Sequence, residues 1–302
     1  MASESVAIVV VPRDRFSTFP SCLDALYAHT GMPFRLVVVA GATDRDTRNY
    51  LMTVQGTHQN VDLILPDHLL PQSESRNLGL RHTKDRYCVV LENDTIVHAN
   101  WLAPMLRCLQ DEGAAVVTPL MYWYRGVHTA GCMFDERLEN GTIVFRHRIL
   151  YDDIHRKRID YPENHCVLID RQVIPDNDLF EEVEPFDVDL GLLLRKRGLS
   201  AYVEPQSVAT YASPPPIEVR DVSPYKLRWD PVAWKVRNRR FMKKWNVTYD
   251  PSHKIASYRR QQLKLGLANW IPTPFTVGLS NVGFRWSNHM LARIAAREHP
   301  IR

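Results

Sequence analysis

Cysteine is scarce and carries no pattern: Cys22, Cys88, Cys108, Cys132 and Cys166 are odd in number, scattered, and never form C-x-x-C. That argues against a disulfide frame or a zinc site and for reduced thiols in a cytosolic setting. Met1-Ala-Ser-Glu-Ser lacks the basic and apolar regions of a signal peptide, so the expected location is cytoplasmic. The dinucleotide fingerprint G-x-G-x-x-G is missing after the first strand, where Pro12-Arg-Asp-Arg15 stands instead. G-K-[ST] is absent throughout, which excludes a P-loop. Acidic residues are rare at one end. Residues 213–302 hold 5 Asp/Glu against 17 Lys/Arg, whereas residues 1–212 hold 29 against 21. Such asymmetry suggests a tail that meets an anionic surface or partner, or a basic tail folded against an acidic body.

What remains is ordinary in bulk. The 302 residues are 45% hydrophobic and 24% charged, enough for one large or two modest domains with a core. The pattern inside is informative. Tyr87-Cys-Val-Val-Leu-Glu-Asn-Asp94 carries a buried strand into two carboxylates that flank an asparagine. Ligands bind outside the carboxyl ends of strands in open α/β sheets, so Glu92 and Asp94 stand where chemistry is usually done. Carboxylates at i and i+2 can hold one hard cation, and the cation a phosphate pair; the plain alternative is a polar turn.

Strands and helices alternate around that stretch. Val6–Val11, Phe34–Ala40, Val61–Leu65 and Ala114–Pro119 read as strands. Pro20–His29, a segment capped by Thr43 or Asp44 and running through Met52, Ser73–Arg81 and Trp101–Leu109 read as helices. This spacing predicts a parallel sheet with crossover helices. Residues 122–165 are less regular, and Tyr122-Trp-Tyr124 is expected to be core rather than a platform for a sugar ring. Cys166–Asp170, Ser200–Glu204 and Ser207–Tyr211 read as further strands. Asp187 or Asp189 is expected to cap a helix that ends at Gly198.

In the tail, Asp230-Pro231 starts a helix that puts Trp234, Asn238, Phe241 and Trp245 on one face. From Leu265 to Phe284 no residue is charged, but Pro272, Pro274, Asn269 and Asn281 argue against a spanning helix. A segment packed on the body is the expectation, with shallow attachment to an anionic bilayer as the alternative.

Four pieces in order carry a resemblance. Ser75-Arg-Asn-Leu-Gly79 resembles an A-R-N-x-G helix, Leu91-Glu-Asn-Asp-Thr95 a D-x-D, and Thr129-Ala-Gly-Cys132 a glycine turn. Phe186-Asp-Val-Asp-Leu-Gly-Leu-Leu-Leu-Arg-Lys-Arg-Gly198 resembles E-D-V-D-L-x-L-R-x-R-x-G. Together they resemble the family 2, rhamnosyltransferase-like inverting glycosyltransferases of the GT-A fold. The resemblance covers residues 5–212 and implies a Rossmann-like, mostly parallel α/β catalytic domain over residues 1–212, which leaves 213–302 as a basic, mainly helical extension.

It also implies a nucleotide-sugar donor and a glycan, lipid-linked or small-molecule acceptor, as in polysaccharide biosynthesis, with no nucleic-acid partner. Asp187 would be the general base, and a divalent cation, Mn²⁺ or Mg²⁺, would rest on Asp94 with Glu92. Pro12, Ala40, His68, Arg76, Glu92, Asn93 and Asp94 would bind donor. Gly131, Cys132 and Phe186 would bind acceptor. The basic tail would add peripheral contact with an anionic inner membrane surface.

The departures are specific. Glu92 replaces the first acid of D-x-D, Phe186 the first acid of E-D, and Ala40 and Gly41 an aspartate that reads the base. Tyr211 stands where relatives place a metal-binding histidine. Two rivals follow: a catalytically silent binding module of the same fold, and a sugar nucleotidyltransferase. The second would need a Gly-rich loop after the first strand, which Pro12-Arg-Asp-Arg15 does not provide.

Overall fold

The computed structural model describes residues 6–123, 126–139, 142–175, 179–212 and 217–249. The uncharged stretch Leu265–Phe284 lies outside them.

Four apolar strands form one half of the main sheet: β1 (Val6–Val11), β2 (Arg35–Val39), β3 (Val61–Ile64) and β4 (Tyr87–Glu92). They run parallel in the order β4-β1-β2-β3. All six residues of β1 and all six of β4 are buried, as runs of Val, Ile and Leu covered on both faces must be. The crossovers are α1 (Phe19–His29), α2 (Arg45–Thr57) and α3 (Gln72–His82). Of the two candidate caps, Asp44 caps α2, accepting from the backbone N–H groups of Asp46 and Thr47. The helix continues past Met52 to Thr57. In α3, Gly79 lets the helix lie against β1, since a Cβ there would sit 2.1 Å from Val9 Cγ1.

The other half departs from an all-parallel sheet. After β5 (Thr95–Val97) and α4 (Leu102–Asp111) come β6 (Val116–Trp123), β7 (Gly126–Thr129), β8 (Cys132–Glu139), β9 (Thr142–Ile149), β10 (Lys157–Ile159) and β11 (Cys166–Asp170). Strand β11 inserts between β4 and β6 antiparallel to both. Next come α5 (Phe186–Lys196) and β12 (Ala201–Tyr211), which runs parallel to β6. The two strands expected over 200–211 are one, interrupted by a register shift between Glu204 and Val208. Residues 122–165 are likewise more regular than expected, because β8 and β9 form a hairpin joined by β13 (Thr248–Tyr249). Tyr122 and Trp123 are half-buried on β6 rather than core, and Tyr124 lies outside the described residues.

Helix α5 corrects a cap assignment. It starts at Phe186 after Pro185, and neither Asp187 nor Asp189 caps it. Asp189 is buried and accepts from the Trp245 indole N–H at 2.7 Å and from Lys244 at 3.0 Å.

The helices after residue 212 pack on the body. They are α6 (Val222–Trp229) and α7 (Pro231–Trp245), the latter capped by Asp230 through the Ala233 N–H. On α7, Asn238 and Phe241 are buried as the expected face requires, and Arg237 is buried with them. Asp221 accepts from the backbone N–H groups of Phe16 and Ser17 at 2.8 and 2.9 Å. The Trp229 indole donates to Asp14 at 2.8 Å.

Candidate active site

The carboxyl ends of β1 and β4 and the end of β12 converge. Asn93 locks the loop after β1: its side chain accepts from the Arg13 backbone N–H at 3.1 Å and donates to the Arg15 carbonyl at 2.7 Å. Strand pairing brings Tyr211 opposite Thr95, and the Ala212 N–H donates to the Asp94 carbonyl at 2.8 Å. Because β11 runs antiparallel to β4, its first end lies at the same edge. The Glu92 N–H donates to the His165 carbonyl at 2.8 Å.

A cluster of charges fills this edge. Arg13 Nη1 donates to Asp94 Oδ2 at 3.1 Å and to the Tyr211 hydroxyl at 2.6 Å, and its Nε lies 3.4 Å from Glu92 Oε2. Arg76 donates to Glu92 Oε1 at 2.5 Å and is stacked on Phe180 and Phe186, 5.2 and 4.4 Å from their ring centres. Gln72 donates to the same oxygen at 2.9 Å. His165 pairs with Glu163 and has Nε2 3.6 Å from Glu92 Oε2. His128 lies 3.8 Å from Glu163.

Burial and neighbours set the protonation. Burial raises the Asp94 carboxyl despite Arg13 beside it. Burial pushes the Tyr211 phenol up to about 12, so its hydroxyl stays protonated. At His165 burial favours the neutral ring, but Glu163 and Glu92 outweigh it and raise the imidazole above its usual value. Glu163 is half-buried, and although desolvation would raise its carboxyl, His165 and His128 hold it well below the usual carboxylate range.

Two cavities meet at this edge. One of about 40 Å³ is lined by Pro12, Gly41, Leu70 and Gln72, among others. The other, about 240 Å³, is lined by Glu92, Cys132, Glu163, His165, Asp187 and Tyr211, among others. Arg13, Glu184, Phe186 and Arg228 line both.

The expected site residues divide accordingly. Glu92, Cys132, Phe186 and Asp187 face the larger cavity, and Pro12 the smaller. Asp94 and Asn93 are buried beneath the junction. Arg76 is buried on Glu92 and lines neither cavity. Ala40 is buried at the end of β2, and its neighbour Gly41 makes the wall. His68 is exposed beside Asp67 and lines neither cavity. Gly131, at φ 126°, lies behind Cys132, where a Cβ would meet Ile159 Cγ2 at 2.8 Å.

Arg13, His128, Glu163, His165 and Arg228 were not singled out from the sequence. Arg13 follows a buried strand, which is a usable signal. Glu163 and His165 depend on the direction of β11, which a five-residue apolar run does not reveal.

The model of the glycosyltransferase-like family 2 matches residues 3–241. The chain belongs to that family. No curated protein matches this family 2 glycosyltransferase chain significantly. Among solved structures it is similar to GalNAc-T7 with UDP, GalNAc and Mn²⁺ (TM-score 0.55, 11% identity, 94% of this chain and 54% of that one). It is also similar to residues 1–349 of S. aureus TarS (TM-score 0.51, 14% identity, 74% of this chain and 64% of that one). The chain thus spans 54% and 64% of the length of those solved chains. At such identity the likeness establishes the GT-A fold.

A cation is implied by the family pattern, and spacing admits one. Ligand atoms of Glu92, Asp94 and His165 lie within 4.8 Å of one another, as do those of His128, Glu163 and His165. Their partners do not suit an ion shared by Glu92 and Asp94. Both Glu92 oxygens face basic groups, and Arg13 holds Asp94 Oδ2. Asp94 Oδ1 and His165 Nε2 are the buried atoms of this group without a hydrogen-bond partner.

Proposed function

We propose that the chain is an inverting glycosyltransferase that moves a sugar from a nucleoside-diphosphate donor to an acceptor hydroxyl. The observation that carries this is the place of Asp187. It sits in the first turn of α5, half-buried, on the larger cavity that Arg13, Arg228 and Glu92 also line. Donor and acceptor must approach the anomeric carbon from opposite sides, and this cavity brings a half-buried carboxylate together with two guanidinium groups. Asp187 takes the acceptor proton, the acceptor oxygen bonds to the anomeric carbon, and the bond from that carbon to the diphosphate oxygen breaks with inversion. GalNAc-T7 and TarS have been solved with UDP, which makes a uridine diphosphate donor the first to try.

We read the chain as a catalytic unit over 1–212 with a basic extension over 213–302, whose helices α6 and α7 bring Leu227, Arg228 and Arg237 to the smaller cavity. No helix among the described residues is long and apolar enough to cross a membrane. The excess of Lys/Arg over Asp/Glu in residues 213–302 is the ground for proposing peripheral attachment of the tail to anionic lipid.

The test is transfer or donor hydrolysis across a panel of nucleotide sugars, with Asp187→Asn as control. Asn keeps the shape but cannot take the proton, so turnover falls by roughly 10²–10⁴ while nucleoside diphosphate binding persists. Near-normal turnover in Asp187→Asn places the base elsewhere. Donor binding with no turnover in the wild type favours a silent binding module.

A further inference from the structure

We propose that the guanidinium of Arg13 is the resident cation of this site, meeting the donor's diphosphate where the family pattern places a divalent metal. The inference rests on the glycosyltransferase reading above.

Geometry carries it. Arg13 leaves the carboxyl end of β1 with its backbone fixed by Asn93. Its side chain lies against Asp94, Glu92 and Tyr211 together, with the guanidinium carbon 4.9 Å from the centre of the Tyr211 ring. These three positions are the two acids of the D-x-D and the place of the missing histidine. Arg13 also lines both cavities and keeps 19% of its side chain exposed, so a ligand spanning the junction meets it. Its Nη2 makes no hydrogen bond to the described residues, which leaves a donor for a phosphate oxygen.

Two of the departures, at 92 and 211, then have one cause. Glutamate at 92 is long enough to face Arg13 with one oxygen and Arg76 with the other. Tyrosine at 211 supplies a neutral oxygen and a ring face for a guanidinium, neither of which a metal-binding histidine provides. Placement agrees: Arg13 and Arg76 already face Glu92, and Arg13 faces Asp94, so a divalent ion on these carboxylates would lie next to a guanidinium. Arginine is also the side chain whose fork matches phosphate.

In the reaction, the electron pair of the broken bond stays on the leaving diphosphate oxygen. Arg13 donates N–H groups to that diphosphate and stays charged, while the acceptor's proton goes to Asp187.

The experiment measures binding of UDP, GDP, dTDP and CDP by calorimetry, in EDTA and in Mn²⁺, alongside Mn²⁺ binding by electron paramagnetic resonance. Wild type is expected to bind one diphosphate in EDTA with an affinity that Mn²⁺ changes less than about twofold, and to bind little Mn²⁺ alone. Arg13→Met should weaken diphosphate binding in EDTA by about tenfold or more, from loss of a charge-assisted pair. It should also gain Mn²⁺ binding, because Asp94 Oδ2 and Glu92 Oε2 are released. Arg13→Lys keeps the charge and should lie between, which decides the matter if the Met variant fails to fold. Wild-type binding that requires Mn²⁺, or unchanged binding by folded Arg13→Met in EDTA, overturns this inference alone. No diphosphate binding under either condition overturns both it and the transferase reading.

Discussion

The Trp229 indole N–H and the Asp14 carboxylate are 2.8 Å apart, joining α6 to the loop that follows the first strand. The same loop holds Arg13, and Asp221 clasps its backbone at Phe16 and Ser17. Trp229→Phe keeps most of the packing but takes a donor from a buried carboxylate. It should cost about 1–3 kcal/mol in urea denaturation. It should also weaken diphosphate binding, since the loop loses its anchor. Unchanged stability would mean that water replaces the indole.

Asp189 gives a prediction that separates two roles. A helix cap replaced by alanine costs about 1 kcal/mol. A buried carboxylate that holds Lys244 and the Trp245 indole costs more, about 3 kcal/mol, the low end for a broken buried pair because Lys244 is partly exposed. Asp189→Ala should therefore lower stability by the larger amount and loosen α7, seen as faster hydrogen exchange over residues 231–245. A loss near 1 kcal/mol without that local change would mean the ion pair matters little.

Glu92→Gln tests the charge group directly. The amide is nearly the same size but leaves Arg76, fully buried, facing a neutral partner. A loss of about 3–5 kcal/mol is expected, with thermal melting as the measurement. A change under about 1 kcal/mol would show that these charges are well solvated.

The strands β1 to β4 were legible because runs buried on both faces have one reading. The hairpin β8–β9 was not: its far end is exposed and mostly charged, so no apolar alternation marks it. Direction was the deeper limit. Val167, Leu168 and Ile169 read alike in a parallel or an antiparallel strand, yet the direction decides whether Glu163 and His165 reach Glu92. Glu92, Phe186 and Tyr211 were visible as departures from the family pattern. The common cause at 92 and 211 was hidden, because Arg13 and Tyr211 stand 198 residues apart.

A pH profile follows from His165 and Glu163. The folded imidazole titrates above its unfolded value of about 6.5, so its stabilisation is complete below about pH 6.5 and is lost as pH rises through the folded value. Glu163 titrates below its unfolded value of about 4.3, so its share is present above that pH and is lost as pH falls through the folded value. Glu92, Asp94, Arg13 and His128 face the same pair. The difference in melting temperature between wild type and His165→Gln should be largest near pH 5–6 and shrink towards pH 9. A pH-independent difference would mean that folding leaves the titration of the ring unchanged, and a wild-type disadvantage growing below pH 6.5 would mean the ring stays neutral in the fold.

Gly79 and Val9 amount to a single choice written at two places in the gene. Arg76 precedes Gly79 by three residues and so shares its helix face, while Val9 lies four residues before Arg13 on β1. The missing side chain thus sets how far apart the two guanidiniums that grip Glu92 are carried. Any residue larger than glycine at 79 requires a smaller one at 9, or the spacing changes. Across descendants of this chain the two positions should drift together: Gly79→Ala tolerated beside Val9→Ala, and each change harmful alone.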